Sequence, residues 1–310
     1  MFLDVIAEHT AGDPQRGIRW TNLRPREIAR RITAAGIPIS RRIAGQLLKH
    51  HGFVRRQAQK KKTFRQHPDR AAQFERIAEL KQQYLSAGWP VISIDTKKKE
   101  LLGNFYRDGK LYTRETIAVL DHDFPSYSDG KVIPHGVYDL GRNKAHVHLG
   151  TSHDTTEFAC DSVAHWWEAV GRYDHAHATQ LLILCDGGGS NPAGSALFQQ
   201  DLQRLADRTG LTLRVAHYPS YCSKYNPIEH RVFPHLTRAC EGVVFKSVAL
   251  VKQLMERTHT RTGLRVMVDI LDRVYDTGRK AADHLKATLN LVADSLLPKW
   301  NYMISPHASP

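Results

Sequence analysis

The sequence predicts an α/β protein in two parts, a small all-α unit followed by a mixed β-sheet flanked by helices. Three observations support this prediction. The N-terminal stretch is basic and has helical periodicity, the periodicity of strands begins at residue 91, and strands then alternate with helices. A length of 310 residues corresponds to about two domains. A chain of this size buries a large core without disulfides or metal ions.

The composition excludes several classes of protein. No apolar run approaches the roughly 18 residues that a membrane-spanning helix needs. The first four residues lack the basic and apolar regions of a signal peptide. Four cysteines (Cys160, Cys185, Cys222 and Cys240) are widely spaced and form no C-x-x-C pair. This argues against a disulfide scaffold or a zinc ribbon, and predicts a cytoplasmic protein without membrane partners.

The positive charge is concentrated at the N-terminus. Residues 1–90 contain 18 Lys and Arg against 7 Asp and Glu, a net charge of +11, whereas residues 91–310 have a net charge of only +2. Such a basic segment favours a polyanion as partner. The alternative is a basic, solvated surface without a specific ligand.

Residues 1–66 are predicted to form a helix-turn-helix unit. The segment 25–35 has Pro25 in its first turn and is predicted to be a helix that ends at Gly36. Ser40 is a suitable N-cap for a second helix over 41–51. Two short helices around a glycine-containing turn are typical of helix-turn-helix proteins, although an ordinary helical hairpin has the same pattern.

In a helix-turn-helix protein the second helix enters the major groove of double-stranded DNA. Arg side chains read guanine and Gln reads adenine, whereas Lys mainly binds phosphate. The predicted DNA-binding residues are Arg41, Arg42, Gln46 and Lys49 on the second helix, followed by Arg55, Arg56, Lys60, Lys61 and Lys62.

Residues 67–90 are predicted to form a helical connector, with Ile77, Leu80 and Tyr84 on its apolar side. From residue 91 to 245, strands and helices predict a mixed sheet. Residues 246–310 are predicted to form C-terminal helices and a tail, on the spacing of Val251, Leu254, Ile270 and Val274.

Three carboxylates mark a candidate active site. Asp95 and Asp186 follow apolar strands, and Glu229 lies in the first turn of a helix opened by Pro227. Open α/β sheets place their sites at the carboxyl ends of strands, where these side chains can converge. Oxygen-only ligands select Mg²⁺ or Mn²⁺, and a pair of such ions suits phosphoryl transfer on a nucleic acid. Asp95 would then bridge both ions, with Asp186 and Glu229 each completing one.

Two other sequence features could indicate nucleotide binding or zinc binding, but neither fits the required pattern. Gly187 and Gly188 give close backbone access beside a phosphodiester, and the segment lacks the Lys-Ser/Thr ending of a nucleotide-binding P-loop. His217, Cys222, His230 and His235 lack regular zinc-ligand spacing and are predicted to be polar or site-edge residues.

Five segments carry a resemblance to a known family. They are the run Ser-Ile-Asp-Thr-Lys-Lys-Lys-Glu-Leu-Leu-Gly-Asn-Phe at 93–105, Asp-His-Asp-Phe-Pro at 121–125, His-Gly-Val-Tyr-Asp at 135–139, Asp-Gly-Gly-Gly-Ser-Asn at 186–191, and Ser-Lys-Tyr-Asn-Pro-Ile-Glu-His-Arg at 223–231. Together they resemble the Rhodopirellula-type DDE transposases of ISAzo-type bacterial insertion sequences. The last block is similar to one of the Tc/mariner-like transposases.

The resemblance implies an RNase H-like catalytic domain over 91–245, with Asp95, Asp186 and Glu229 as the DDE triad. It implies cleavage and transfer of DNA strands, with water and then a DNA 3′-hydroxyl as nucleophile. Asn226 and Lys224 would position the helix or contact DNA. The implied partners are the terminal inverted repeats, target DNA, and a second copy of the chain in a homodimer or larger assembly on nucleoid DNA.

The chain departs from the family pattern near the third carboxylate. Tyr225 stands where the family has Trp, and Tyr221-Cys222 stands where it has Gly-Thr. Family members also have more helical sequence before the helix-turn-helix, which predicts a shortened DNA-end-binding region here. Two alternatives therefore stay open: a transposase-derived DNA-binding protein, and a related nuclease that does not join strands.

Overall fold

The computed structural model describes residues 1–13, 18–56, 67–189, 191–281 and 285–308. The chain divides into two compact units, Met1–Lys62 and Thr63–Pro310. The predicted boundaries at 66, 90 and 245 stay predictions. No helix in the described ranges is both long enough and apolar enough to cross a membrane.

The first unit contains the two predicted helices. Its elements are α1 (Phe2–Ala7), β1 (Thr10–Asp13), β2 (Ile18–Thr21), α2 (Pro25–Ala34) and α3 (Arg41–His50). The Ser40 hydroxyl caps α3 by accepting a hydrogen bond from the Ile43 amide at 3.3 Å. Gly36 has a φ of 96°, a left-handed conformation that favours glycine in the turn. Ile28, Ile32 and Ala44 form the core of this unit together with α1.

The prediction of an all-α first unit is wrong, because β1 and β2 form an antiparallel hairpin. Each strand has only four residues, which is too short for alternation of polar and apolar side chains to be recognised.

The second unit is built on a large sheet. Its strands are β3 (Val91–Thr96), β4 (Glu100–Leu102), β5 (Gly130–Asp139), β6 (Lys144–Gly150), β7 (Gln180–Cys185), β8 (Thr212–His217), β9 (Arg265–Ile270), β10 (Leu291–Ala293) and β11 (Asn301–Ile304). Its helices are α4 (Arg70–Ser86), α5 (Thr156–Trp166), α6 (Arg172–Asp174), α7 (Ala196–Thr209), α8 (Pro227–Arg231), α9 (Phe233–Ala239), α10 (Val248–Glu256) and α11 (Leu285–Thr288).

The sheet is mixed, as predicted. The order of the described strands is β10-β11-β8-β7-β3-β5-β6-β9, and β4 pairs with β5. β3, β7 and β8 are parallel to one another, whereas β3, β5 and β6 are successively antiparallel. The carboxyl ends of β3 and β7 therefore lie side by side at one edge of the sheet.

Helices cover both faces of this sheet. Ile92 and Ile94 of β3 pack with α5 and α7, in a core that also buries Trp166 and Trp167. On the other face, α8, α9 and α10 pack on β6, and α4 packs on β7. Burial of these apolar faces is the main favourable contribution to folding.

The prediction that residues 246–310 form helices and a tail is only partly right. α10 is a helix, but Arg265–Ile270, Leu291–Ala293 and Asn301–Ile304 are strands of the sheet. Ile270 and Val274 have the spacing of a helix by coincidence. Val266, Val268 and Ile270 instead alternate along β9, where β-branched residues are favoured.

Candidate active site

The structure brings the three predicted carboxylates together. Asp95 lies in β3, Asp186 immediately follows the neighbouring parallel strand β7, and Glu229 lies in α8. Burial, followed by the charges of Asp186 and Glu229, raises the pKa of Asp95 to about 8, and the Glu229 side chain is within hydrogen-bonding reach of it. Burial also raises the pKa of Asp186.

Backbone amides orient two of these carboxylates. The Thr96 amide donates to Asp95 Oδ1 at 2.7 Å, and the Gly188 amide donates to Asp186 Oδ1 at 3.3 Å. Each aspartate is thus held by the chain that follows its strand. Three half-buried carboxyl groups that lie this close together are suited to divalent cations, which prefer oxygen ligands.

A buried hydrogen-bond network holds Glu229 next to Asp95. Asn226 is fully buried and donates from Nδ2 to the Ile94 carbonyl at 3.0 Å. The Ser93 hydroxyl donates to Asn226 Oδ1 at 2.5 Å and accepts from the Ile228 amide at 3.0 Å. Since Ser93 and Asp95 lie on the same face of β3, this network fixes the start of α8 against the strand that carries Asp95.

A glycine in the neighbouring strand permits this close packing. Gly136 pairs with Asp95 across β3 and β5. A Cβ at position 136 would lie 2.5 Å from Ile228 Cδ1 and 3.1 Å from Phe233 Cε1. A side chain there would therefore displace α8, and Glu229 with it.

The other predicted site residues lie on exposed turns. Gly187 and Gly188 follow Asp186 and are exposed. Lys224 lies on the 3₁₀ turn Ser223–Tyr225, and its ammonium is 5.1 Å from the centre of the Tyr225 ring. Asn226 comes directly after this turn, so Lys224 is placed at the entrance to α8.

Sequence reasoning missed the role of Arg70. This residue opens α4, which was interpreted as a connector. Its Nε donates to Cys222 Sγ at 3.4 Å, and its guanidinium lies 5.6 Å from the centre of the Tyr225 ring. The start of α4 therefore contacts the loop before Glu229 at Cys222 and Tyr225. Since Arg70 is 152 residues from Cys222, no local sequence signal could have identified this contact.

His217, predicted as a polar or site-edge residue, lies next to Asp186. It is buried, and its Nδ1 lies 3.2 Å from the carbonyl oxygen of Asp186. Its Nε2 lies 3.1 Å from the Tyr302 hydroxyl. Burial lowers the pKa of His217 to about 4, so the imidazole is neutral at physiological pH.

The predicted DNA-binding side chains form a basic surface on the first unit. Arg41, Arg42, Gln46 and Lys49 are all exposed on α3. A groove in this unit is lined by the basic side chains of Arg24, Arg26, Arg41, Arg42, Lys49, Arg55 and Arg56. Arg24 and Arg26 were not predicted. Lys60, Lys61 and Lys62 lie outside the described residues.

Comparison with known proteins identifies a family. The family model described as "Rhodopirellula transposase DDE domain" matches residues 2–306. No curated protein matches the chain.

Solved structures of Mos1 transposase are similar to the chain. The mariner Mos1 paired end complex with Mg is 12% identical, with a TM-score of 0.48 over 82% of this chain and 69% of that one. A pre-cleavage Mos1 transpososome is 11% identical, with a TM-score of 0.47 over 81% of this chain and 68% of that one. The Mos1 strand transfer complex is 12% identical, with a TM-score of 0.45 over 81% of this chain and 67% of that one.

Proposed function

The chain belongs to the Rhodopirellula transposase DDE domain family, and we propose that it is the DNA transposase of an insertion sequence, with an RNase H-like catalytic domain. It cleaves DNA strands at the ends of its element and transfers them to target DNA. The convergence of Asp95, Asp186 and Glu229 at one edge of the mixed sheet is the observation that supports this proposal most directly.

The three carboxylates fit a pair of Mg²⁺ or Mn²⁺ ions. The charges of Asp186 and Glu229 both act on Asp95, so the three carboxylates would together hold the ions, with Asp95 as the candidate for a shared ligand. Burial, followed by repulsion from Asp186 and Glu229, raises the pKa of Asp95, and a bound divalent cation would offset both effects. When bound, such ions stabilise the attacking and leaving oxygens of an in-line displacement at phosphorus.

The surrounding residues position these groups and the DNA. Ser93 and Asn226 hold Glu229 beside Asp95. The exposed backbone at Gly187 and Gly188 gives a phosphodiester close access to Asp186. Lys224, at the entrance to α8, is suited to contact with DNA phosphates. The nucleophile is water in the first step and a DNA 3′-hydroxyl in the second.

The first unit recognises the terminal inverted repeats. Arg41, Arg42 and Gln46 of α3 are exposed and have the chemistry to read guanine and adenine in the major groove. Lys49, Arg55 and Arg56 bind phosphates. Joining two DNA ends requires two active sites, so the chain acts as a homodimer or larger assembly on DNA.

A cleavage and strand-transfer assay tests the proposal. The DNA carries the gene's own flanking ends, with Mg²⁺ or Mn²⁺ added. Wild type is compared with Glu229→Gln and with Glu241→Gln, which neutralises an exposed glutamate outside the site. We expect joined product from wild type and Glu241→Gln, and none from Glu229→Gln.

Other outcomes support the alternatives. DNA binding that depends on Arg41 and Arg42, without cleavage by wild type, would favour a transposase-derived DNA-binding protein. Cut but unjoined product would favour a nuclease. Strand transfer by Glu229→Gln would exclude Glu229 from the reaction.

A further inference from the structure

A cluster of histidines lies on the face of the sheet away from the carboxylates. His146 and His148 alternate along β6, so their side chains share one face. His165 approaches them from α5, and Asp269 approaches from β9, which pairs with β6 in parallel. Three elements that are distant in sequence therefore bring four potential metal ligands together.

The register of the sheet separates this cluster from the carboxylates. His148 pairs with His135 across β6 and β5, and His135 pairs with Thr96 across β5 and β3. Residues that pair directly share a face, so the histidines lie on the side of Thr96 and α5. Asp95 is one residue earlier and pairs with Gly136, which packs against α8 on the opposite face.

The distances are those of a compact metal site. One ring nitrogen from each histidine lies within 4.8 Å of those of the other two. His148 Nε2 and His165 Nδ1 are 3.2 Å apart, and His146 Nε2 is 2.7 Å from Asp269 Oδ2. That oxygen is also 4.0 Å from His165 Nδ1. Tetrahedral Zn²⁺ with bonds of about 2.0–2.1 Å places its ligand atoms about 3.3 Å apart, within the range of these separations.

Two of the rings are buried inside the cluster. His148 is 0% exposed and His146 is 2% exposed. Their Nε2 atoms face His165 Nδ1 and Asp269 Oδ2, respectively. An ion held by these two imidazoles would therefore lie between them and the side chains of His165 and Asp269.

The ammonium group of Lys252 orients Asp269, which is the fourth potential ligand. Lys252 Nζ lies 3.3 Å from Asp269 Oδ1, which leaves Oδ2 directed towards the histidines. Asp269 and His165 are both about 40% exposed, so an ion has a path from solvent to the buried imidazoles.

We propose that His146, His148, His165 and Asp269 bind one transition-metal ion, with Zn²⁺ as the best fit. Imidazole-rich sites favour zinc and related ions, whereas the all-oxygen site at Asp95 favours Mg²⁺ or Mn²⁺. Four protein ligands leave no open position, which is typical of a structural zinc site. The ion would join the edge strand β9 and α5 to β6, independently of the proposed catalysis.

Metal titration of the full-length chain tests this site. The protein is first treated with a chelator, and Zn²⁺ is then titrated in competition with a chromogenic chelator. Wild type is compared with His165→Ala and Asp269→Ala, which alter half-exposed side chains, and with His177→Ala, an exposed histidine elsewhere. We expect one Zn²⁺ per chain in wild type and His177→Ala, with affinity reduced by at least about 100-fold in the two site variants.

Two further measurements separate this site from the carboxylates. Co²⁺ in place of Zn²⁺ should give the visible absorption of a four-coordinate ion, and His165→Ala should abolish that absorption. Zn²⁺ affinity should be unchanged in the double variant Asp95→Asn/Glu229→Gln. The proposal is overturned if wild type binds no Zn²⁺, if both site variants retain wild-type affinity, or if binding disappears in the double carboxylate variant.

Discussion

The ionisation of the Asp95 carboxyl group is affected both by burial and by neighbouring charges. Burial and the neighbouring charges of Asp186 and Glu229 raise its pKa to about 8. The same carboxyl group has a pKa of about 3.9 in an unfolded chain. Between these two values the folded protein binds a proton that the unfolded chain does not, so the stability contributed by this group falls as pH rises.

Replacement of Asp95 by Asn should therefore stabilise the protein in a pH-dependent way. In the presence of a chelator, the melting temperature of Asp95→Asn should exceed that of wild type by a margin that grows from pH 4 to pH 8. Asn keeps an oxygen that can accept from the Thr96 amide, so the comparison isolates the charge. Thermal unfolding at several pH values measures the margin.

An exposed aspartate provides the control for this experiment. Asp276→Asn should show no growing margin, because Asp276 is exposed to solvent. A constant difference between Asp95→Asn and wild type across this pH range would contradict the electrostatic account of the site.

Single residues could be predicted from sequence where a local signal marks them. Asp95 and Asp186 each end a buried apolar strand, and Glu229 follows Asn-Pro at the start of a helix. The metal cluster has no such signal. His146 and His148 fit the alternation of an ordinary strand, and Asp269 is 123 residues from its partner His146. Their meeting depends on the parallel pairing of β6 with β9, which the sequence did not predict.

At the scale of elements, α8 is short and depends on its contacts with β3. A helix of five residues has little stability of its own. Its position is set by hydrogen bonds from Asn226 to the Ile94 carbonyl and from the Ile228 amide to Ser93. The position of Glu229 therefore depends on β3 as much as on α8.

The variant Asn226→Ala should remove this positioning. It removes the Asn226 donor from the Ile94 carbonyl and the Asn226 acceptor from the Ser93 hydroxyl, at a cost of about 1–3 kcal/mol in the free energy of unfolding. DNA cleavage should fall sharply while DNA binding by the first unit is unchanged. Denaturation, single-turnover cleavage and binding assays measure the three effects.

The matched variant Asn104→Ala changes an exposed asparagine and should leave stability and cleavage as in wild type. If Asn226→Ala cleaves DNA at the wild-type rate, the network does not position Glu229.

Elements were predicted well where caps and periodicity agree. Ser40 caps α3, and Pro25 opens α2, so both helices were found. The hairpin β1–β2 and the strands β10 and β11 were missed because each strand has only three or four residues. β10 and β11 pair with each other, and β11 pairs with β8. Such tertiary pairing overrides local preference.

At the scale of the whole molecule, the C-terminal segment is an integral part of the second unit. Tyr302 and Ile304 of β11 are buried in the main core. Asn301 exchanges hydrogen bonds with Gln73 of α4 at 2.7 and 3.0 Å. The C-terminal strands therefore contribute side chains to the same core as β3 and β7.

Asp294 joins three distant parts of this unit. Its side chain is 3% exposed and accepts from Arg76 of α4 at 2.7 Å and from Arg214 of β8. Both guanidinium groups are themselves largely buried. Since the carboxylate compensates two cations, its loss leaves uncompensated charge in a region of low solvent access.

The variant Asp294→Ala should therefore lower the free energy of unfolding of the second unit by about 3–5 kcal/mol. Because α4, β8 and the C-terminal strands share this contact, they should unfold in one transition, with no earlier loss of β10 and β11 alone. Amide hydrogen exchange and thermal unfolding measure this, with Asp276→Ala as the exposed control. If Asp294→Ala released only the C-terminal strands while the rest kept wild-type stability, that segment would be a separate layer on an independent core.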